Sequence, residues 1–146
     1  MEQRIQIDQL QPEAYKAMYA LENYLAKSKL SKTHKQLIKI RASQINGCAF
    51  CINMHTNDAL INGETNDRIF LLHAWKETDI FSNEEMVILA ITEEITLIHQ
   101  NGLTKATYNK ALEVFSEDYL AQIIMAVTGI NAWNRIAIAT NKPIQN

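Results

Sequence analysis

The sequence predicts an all-α fold, a bundle of about six to seven helices forming one domain over residues 1–146. Three observations carry this. Apolar residues recur three and four positions apart along almost the whole chain. Most such runs open on a capping residue and several close on a helix-stopping pair, with short connections between them. Glycine and proline number only four and two, too few for the turns of a many-stranded sheet, and no segment alternates as a strand does.

Residues 1–11 read as an irregular N-terminal segment whose Ile5, Ile7 and Leu10 pack onto the body. Pro12 suits the first position of a helix. That helix runs to about Leu30, with Tyr15, Met18, Tyr19, Leu21, Tyr24 and Leu25 at helical spacing, and its aromatics are read as core. Ser31 caps the next helix, about 32 to 46, which stops at Asn46-Gly47 because these residues tolerate the left-handed conformation at a helix C-terminus. A further helix covers about 48 to 61 and stops at Asn62-Gly63. Thr65 caps one through about Glu77. Ser82-Asn83-Glu84-Glu85 is a capping box opening a helix to about Gln100. Thr104 caps a helix to about Phe115, and Ser116 opens the longest apolar pattern, which ends near Ala139 before Asn141-Lys142-Pro143. Gly129, inside that last pattern, marks a close helix crossing rather than a kink. Ile123, Ile124, Val127, Ile130, Trp133, Ile136 and Ile138 occupy more of the helix circumference than one core-facing stripe needs, which predicts a homo-oligomer.

Composition narrows the function classes. The balance of 47% hydrophobic and 21% charged residues, with a net charge of −2, is that of an ordinary globular domain with no basic surplus for nucleic acid. No apolar run reaches membrane-spanning length, and the first residues lack the apolar core of a signal peptide, so the expected location is cytoplasmic with no membrane contact.

Chemistry concentrates in Asn46-Gly47-Cys48-Ala49-Phe50-Cys51-Ile52-Asn53-Met54-His55, which holds both cysteines of the chain. The helix stop at Asn46-Gly47 places Cys48 at or near the N-cap of the next helix and Cys51 in its first turn. Spacings of three and four bring Cys48, Cys51 and His55 to one face. Free N–H groups and the positive end of the helix dipole favour the thiolate there, which is the reactive form of cysteine. A Cys-x-x-Cys pair can close to a disulfide and reopen, and His55 can hold or pass a proton.

Other readings of the same residues stay open at this point. Cys48, Cys51 and His55 would give zinc three ligands, with His34, His73, His99 or a carboxylate as the fourth. Two buried inert cysteines would also fit the pattern. Covalent haem attachment fails, because Ile52 and not histidine follows Cys51. No resident metal or cofactor is expected. His73 reads as a partly buried structural residue, His34 as solvent-side and His99 as a helix-end cation. Glu93 and Glu94 read as a solvated pair with one buried partner.

The run Arg41-Ala42-Ser43-Gln44-Ile45-Asn46-Gly47-Cys48-Ala49-Phe50-Cys51-Ile52-Asn53-Met54-His55 resembles the core motif of the alkylhydroperoxidase AhpD-like group within the carboxymuconolactone decarboxylase family. Ala74-Trp75-Lys76-Glu77-Thr78 and Thr92-Glu93-Glu94-Ile95-Thr96 are similar to that group as well. The resemblance implies an all-α, AhpD-like bundle assembled as a trimer or hexamer. It implies reduction of a hydroperoxide substrate through the cysteine pair and re-reduction by a dithiol partner, a lipoylated or thioredoxin-like protein. In that scheme Cys51 attacks the peroxide, Cys48 resolves and His55 belongs to a proton relay. The relay's usual glutamate position is Gln36 here and its additional histidine position is Phe50, so the amide at Gln36 is expected to limit the rate. A redox sensor or structural module of the same fold, without turnover, is the alternative.

Overall fold

A computed structural model describes residues 4–144 of the chain. Among them no strand occurs, and the helices are α1 Ile7–Leu10, α2 Pro12–Ala26, α3 Lys32–Asn46, α4 Ala49–Ile61, α5 Asn66–Leu71, α6 Asn83–Thr96, α7 Ile98–Asn101, α8 Lys105–Val114 and α9 Glu117–Ala139. A 3₁₀ segment, Leu72–Glu77, continues α5.

The expected caps set the helix starts. Ser31, Thr65, Ser82, Thr104 and Ser116 each accept a hydrogen bond from the N–H three residues on, satisfying donors that a helix N-terminus leaves unpaired. The Ser82–Glu85 capping box closes in both directions.

The α3 helix is the central element and packs against α4, α6 and α9. Its two apolar sides serve two cores. Ile38 and Ala42 join α2, α6, α8 and α9 in the larger one, and Leu37 and Ile40 join Ala59, Leu72, Trp75, Phe81 and Leu89 in the smaller. The α9 helix is unbroken through Gly129, where an added Cβ would meet Leu25 and Leu21 of α2 at 3.4 and 3.5 Å. The glycine therefore marks a close crossing of α2 and α9.

Several expectations need correcting. The N-terminal segment carries one helical turn, α1, and Ile5 and Leu10 are 63% and 59% exposed instead of packed. The α2 helix ends at Ala26, short of Leu30, where the Lys29 N–H donates to Gln122 of α9. The expected helix 65–77 divides at Leu72. Leu72 and Trp75 are both buried three residues apart, a spacing that 3₁₀ winding eclipses on one side. The expected helix 83–100 breaks where Leu97 leaves helical backbone geometry. Ile123, Val127 and Ile130 of α9 are consumed by the chain's own core, and Ile138 is the exposed member of the group.

Candidate active site

The turn between α3 and α4 builds the site. Gly47 adopts φ +69°, and the N–H groups of Gly47 and Cys48 donate to the carbonyls of Gln44 and Ser43, a Schellman closure of α3. Cys48 thereby becomes the N-cap of α4, and its Sγ accepts the Cys51 N–H at 3.3 Å. Cys48 and Cys51 form a disulfide with Cα atoms 5.4 Å apart, well inside the range such bonds require.

Buried amides lock this turn to α9. The Asn46 side chain donates to Asn131 and Asn134, both at 2.9 Å, and Asn134 donates to Ser43 Oγ at 3.0 Å. Asn46 therefore does more than stop a helix; it orients the cysteine turn against α9, where Ala137 packs on the two sulfurs.

Cys51 and His55 line one side of a cavity of about 470 Å³, with Phe50 and Met54 beside them. Cys48 does not line it, although the two cysteines are almost equally buried, at 1% and 2% exposed. Trp133, Ile136 and Ala137 of α9 also line it, and Tyr15 and Tyr19 of α2 meet Trp133 edge-on or tilted at 5.1 and 5.6 Å between ring centroids. The tyrosines thus edge the cavity and are not core residues.

Polar groups converge on the same space. The Lys39 ammonium lies 2.8 Å from Glu22 Oε2, and Glu22 Oε1 accepts the Trp133 Nε1–H at 3.0 Å. The Lys142 ammonium sits over the rings of Tyr15 and Phe50, at 5.8 and 6.0 Å. Burial, and secondarily the Lys39 cation, pushes the His55 imidazole down to about 3, so it is neutral throughout the neutral range.

Gln36 is placed elsewhere. Its side chain donates to the Asp58 carbonyl at 3.2 Å, and it lines a separate groove with Arg68, Glu64 and Glu85. A carboxylate there would lose that donation and would join two existing carboxylates around Arg68. Gln36→Glu is therefore expected to change the rate of peroxide consumption by less than about threefold, against the 10²–10⁴-fold typical of a working proton-transfer group. Stopped-flow comparison with wild type checks this, and a rise of tenfold or more would restore position 36 to the relay.

Sequence reasoning missed Glu22, Lys39, Trp133 and Lys142. One signal was available: Tyr15, Tyr19 and Glu22 fall at i, i+4 and i+7, one face of α2.

The remaining candidates have structural work. His34 is half-buried, with Nδ1 2.6 Å from the Tyr119 hydroxyl, and is not solvent-side. His73 is exposed, not partly buried, because the 3₁₀ winding turns it outward, with Nδ1 2.9 Å from the Phe70 carbonyl. Glu93 accepts from Arg41, Trp75 and Lys76; burial raises its carboxyl, and these donors outweigh that and hold it below the usual range. The Trp75-Lys76 and Glu93 motifs therefore meet as a clamp between the 3₁₀ segment and α6. Glu94 accepts from the backbone and side chain of Thr104 and from Thr107, fixing the start of α8. Among the described residues no group of three His, Cys, Asp or Glu side chains is placed to hold a metal ion, and no helix is long and apolar enough to cross a membrane.

A sequence profile of the carboxymuconolactone decarboxylase family matches residues 12–94. The uncharacterized protein YdfG of Bacillus subtilis is 44% identical over 139 residues, covering 95% of this chain and 95% of its own. Among solved structures, ATU0492 from Agrobacterium tumefaciens, a protein of unknown function whose name suggests the antioxidant defence protein AhpD, superposes with a TM-score of 0.96 at 34% identity over 99% of each chain. The debrominase Bmp8 gives a TM-score of 0.80 at 18% identity over 92% of this chain and 72% of its own, a likeness of fold alone.

Proposed function

The chain belongs to the carboxymuconolactone decarboxylase family, in its AhpD-like group, and from that premise we propose that it is a thiol peroxidase acting on organic hydroperoxides. The observation that carries this is the division of the cysteine pair. Cys51 lines the cavity with His55 and Cys48 does not, although the two are almost equally buried, at 2% and 1% exposed.

The cycle runs in three balanced steps. In the reduced protein the Cys51 thiol passes its proton to His55 only as the sulfur attacks, so no standing imidazolium forms, and the N-terminus of α4 favours the anion. The thiolate attacks one peroxide oxygen, the O–O bond breaks, Cys51 becomes a sulfenic acid, and the departing alkoxide takes the proton from His55 to leave as the alcohol. The Cys48 thiol then attacks the Cys51 sulfur, forming the disulfide and releasing water. An external dithiol, carried by a lipoylated or thioredoxin-like protein, reduces that disulfide by exchange and is itself oxidised.

The cavity suits an organic substrate. Its volume of about 470 Å³ lies within the roughly 300–1,000 Å³ of small-molecule sites, far more room than hydrogen peroxide needs, and its walls are mostly aromatic and aliphatic. The test is direct. Reduced protein given one equivalent of organic hydroperoxide should consume it, lose two hydrogens per chain, and continue turning over when a dithiol is supplied. A single slow oxidation with no recycling would replace the enzyme with a redox sensor.

The proposal includes a homo-oligomer, a trimer or hexamer, which would cover exposed apolar side chains such as Ile61 and Phe70, 83% and 67% exposed. Light scattering is expected to return a multiple of the 16.7 kDa chain mass; a stable monomer at micromolar concentration would remove this part.

A further inference from the structure

We propose that Lys39, anchored by Glu22, is a positioning residue that sets the ionisation of Cys51 and His55. This rests on Cys51 being the reacting thiol. The pair does not sit on the outer surface. The Lys39 and Glu22 side chains are only 22% and 24% exposed, and both line the cavity that Cys51 and His55 line. Glu22 is held from two directions, by Lys39 on α3 and by the Trp133 indole on α9, so the ammonium has a fixed address. Partial burial makes such a pair costly to assemble, and its field is less screened than that of a surface pair.

The charged and titratable groups around Cys51 come from every wall. Glu22 enters from α2, Lys39 from α3, His55 and Asp58 from α4, and Lys142 from the segment after α9. Lys142 rests on the Tyr15 and Phe50 rings. The Asp58 carbonyl accepts from the Gln36 side chain. Lys39 is the cation whose field reaches the His55 imidazole and, after burial, keeps it neutral. The Glu22 carboxylate, 2.8 Å from the ammonium, offsets part of this field, and what remains of the cation's effect favours a thiolate on Cys51 and disfavours an imidazolium on His55. It therefore makes the proton on His55 a transient one, available to the departing alkoxide.

A role confined to clamping α2 against α3 predicts something different, so the two are separable. In a Cys48→Ser background Cys51 is the single thiol, and its rate of alkylation by iodoacetamide against pH reports the thiolate. Lys39→Met is expected to move the midpoint of that profile up by about one pH unit, a roughly tenfold fall in rate below the midpoint. The His55 imidazole resonance should titrate at higher pH in the same variant, and Lys39→Arg should restore both. Lys39→Gln gives the same comparison if Lys39→Met lowers the melting temperature too far. Midpoints unmoved in a folded neutral variant, or an arginine variant that behaves as the neutral one, would overturn the proposal. No peroxide enters this assay, so a shifted midpoint in a protein that consumes no peroxide would count against the peroxidase reading alone.

Discussion

Cys51→Ser is expected to reduce peroxide consumption to the uncatalysed background, whereas Cys48→Ser should keep one turnover and lose the rest. The asymmetry follows from placement. Cys51 lines the cavity beside His55 in the first turn of α4; Cys48 is the N-cap and does not line it. Without Cys51 no sulfur is available to the peroxide. Without Cys48 the sulfenic acid still forms, but no internal thiol condenses with it. A sulfenic-acid trap such as dimedone should label Cys48→Ser after one equivalent of hydroperoxide and should leave Cys51→Ser unlabelled. Wild type should show the intramolecular disulfide instead. Labelling of Cys51→Ser with retained peroxide loss would exchange the roles of the two cysteines.

The parts of the fold governed by local chemistry were legible in the sequence. Ser31, Thr65, Ser82, Thr104 and Ser116 act where their spacing said they would, because an N-cap needs only a side chain and the N–H three residues on. Asn46-Gly47 likewise fixed Cys48 as the next N-cap. The parts set by distant packing were not legible. Leu72 and Trp75 adopt 3₁₀ winding because the smaller core buries both on one side and Glu93 holds the Trp75 indole, a demand absent from residues 65–77 themselves. The polar half of the site escaped for the same reason. Glu22 and Lys39 lie on different helices, and they meet because Gly129 lets α2 approach α9 closely enough for Trp133 to hold Glu22. Gln36, chosen by its place in a motif, lines the separate groove, and Lys39, one turn on, is the residue of that helix that lines the cavity.

His55→Gln should lower the rate of peroxide consumption by roughly 10²–10⁴-fold and should also flatten the acid dependence of stability. The rate effect comes from losing the group that takes the proton from Cys51 and returns it to the alkoxide. The stability effect comes from burial. His55 in the folded protein is held down to about 3, chiefly by desolvation and then by Lys39, and in the unfolded chain it titrates near its ordinary 6.5. Between those values the unfolded chain binds more protons than the native one, so stability rises with pH. This contribution is fully present above 6.5 and is lost as pH falls from there toward about 3, with a limiting slope of about 1.4 kcal/mol per pH unit. His34, also held below 6.5 by burial, acts in the same direction. Glu85 and Glu93 are buried too, but hydrogen bonds outweigh that burial and hold them below their ordinary 4.5, so they add losses lower in the acid range. The informative quantity is therefore the difference between wild type and His55→Gln, in which those groups are unchanged. Urea unfolding at pH 7 and pH 5 should show wild type losing more stability than the variant over that interval. Equal losses would mean that His55 is as easily protonated in the native protein as in water, and that the cavity is open to solvent around it.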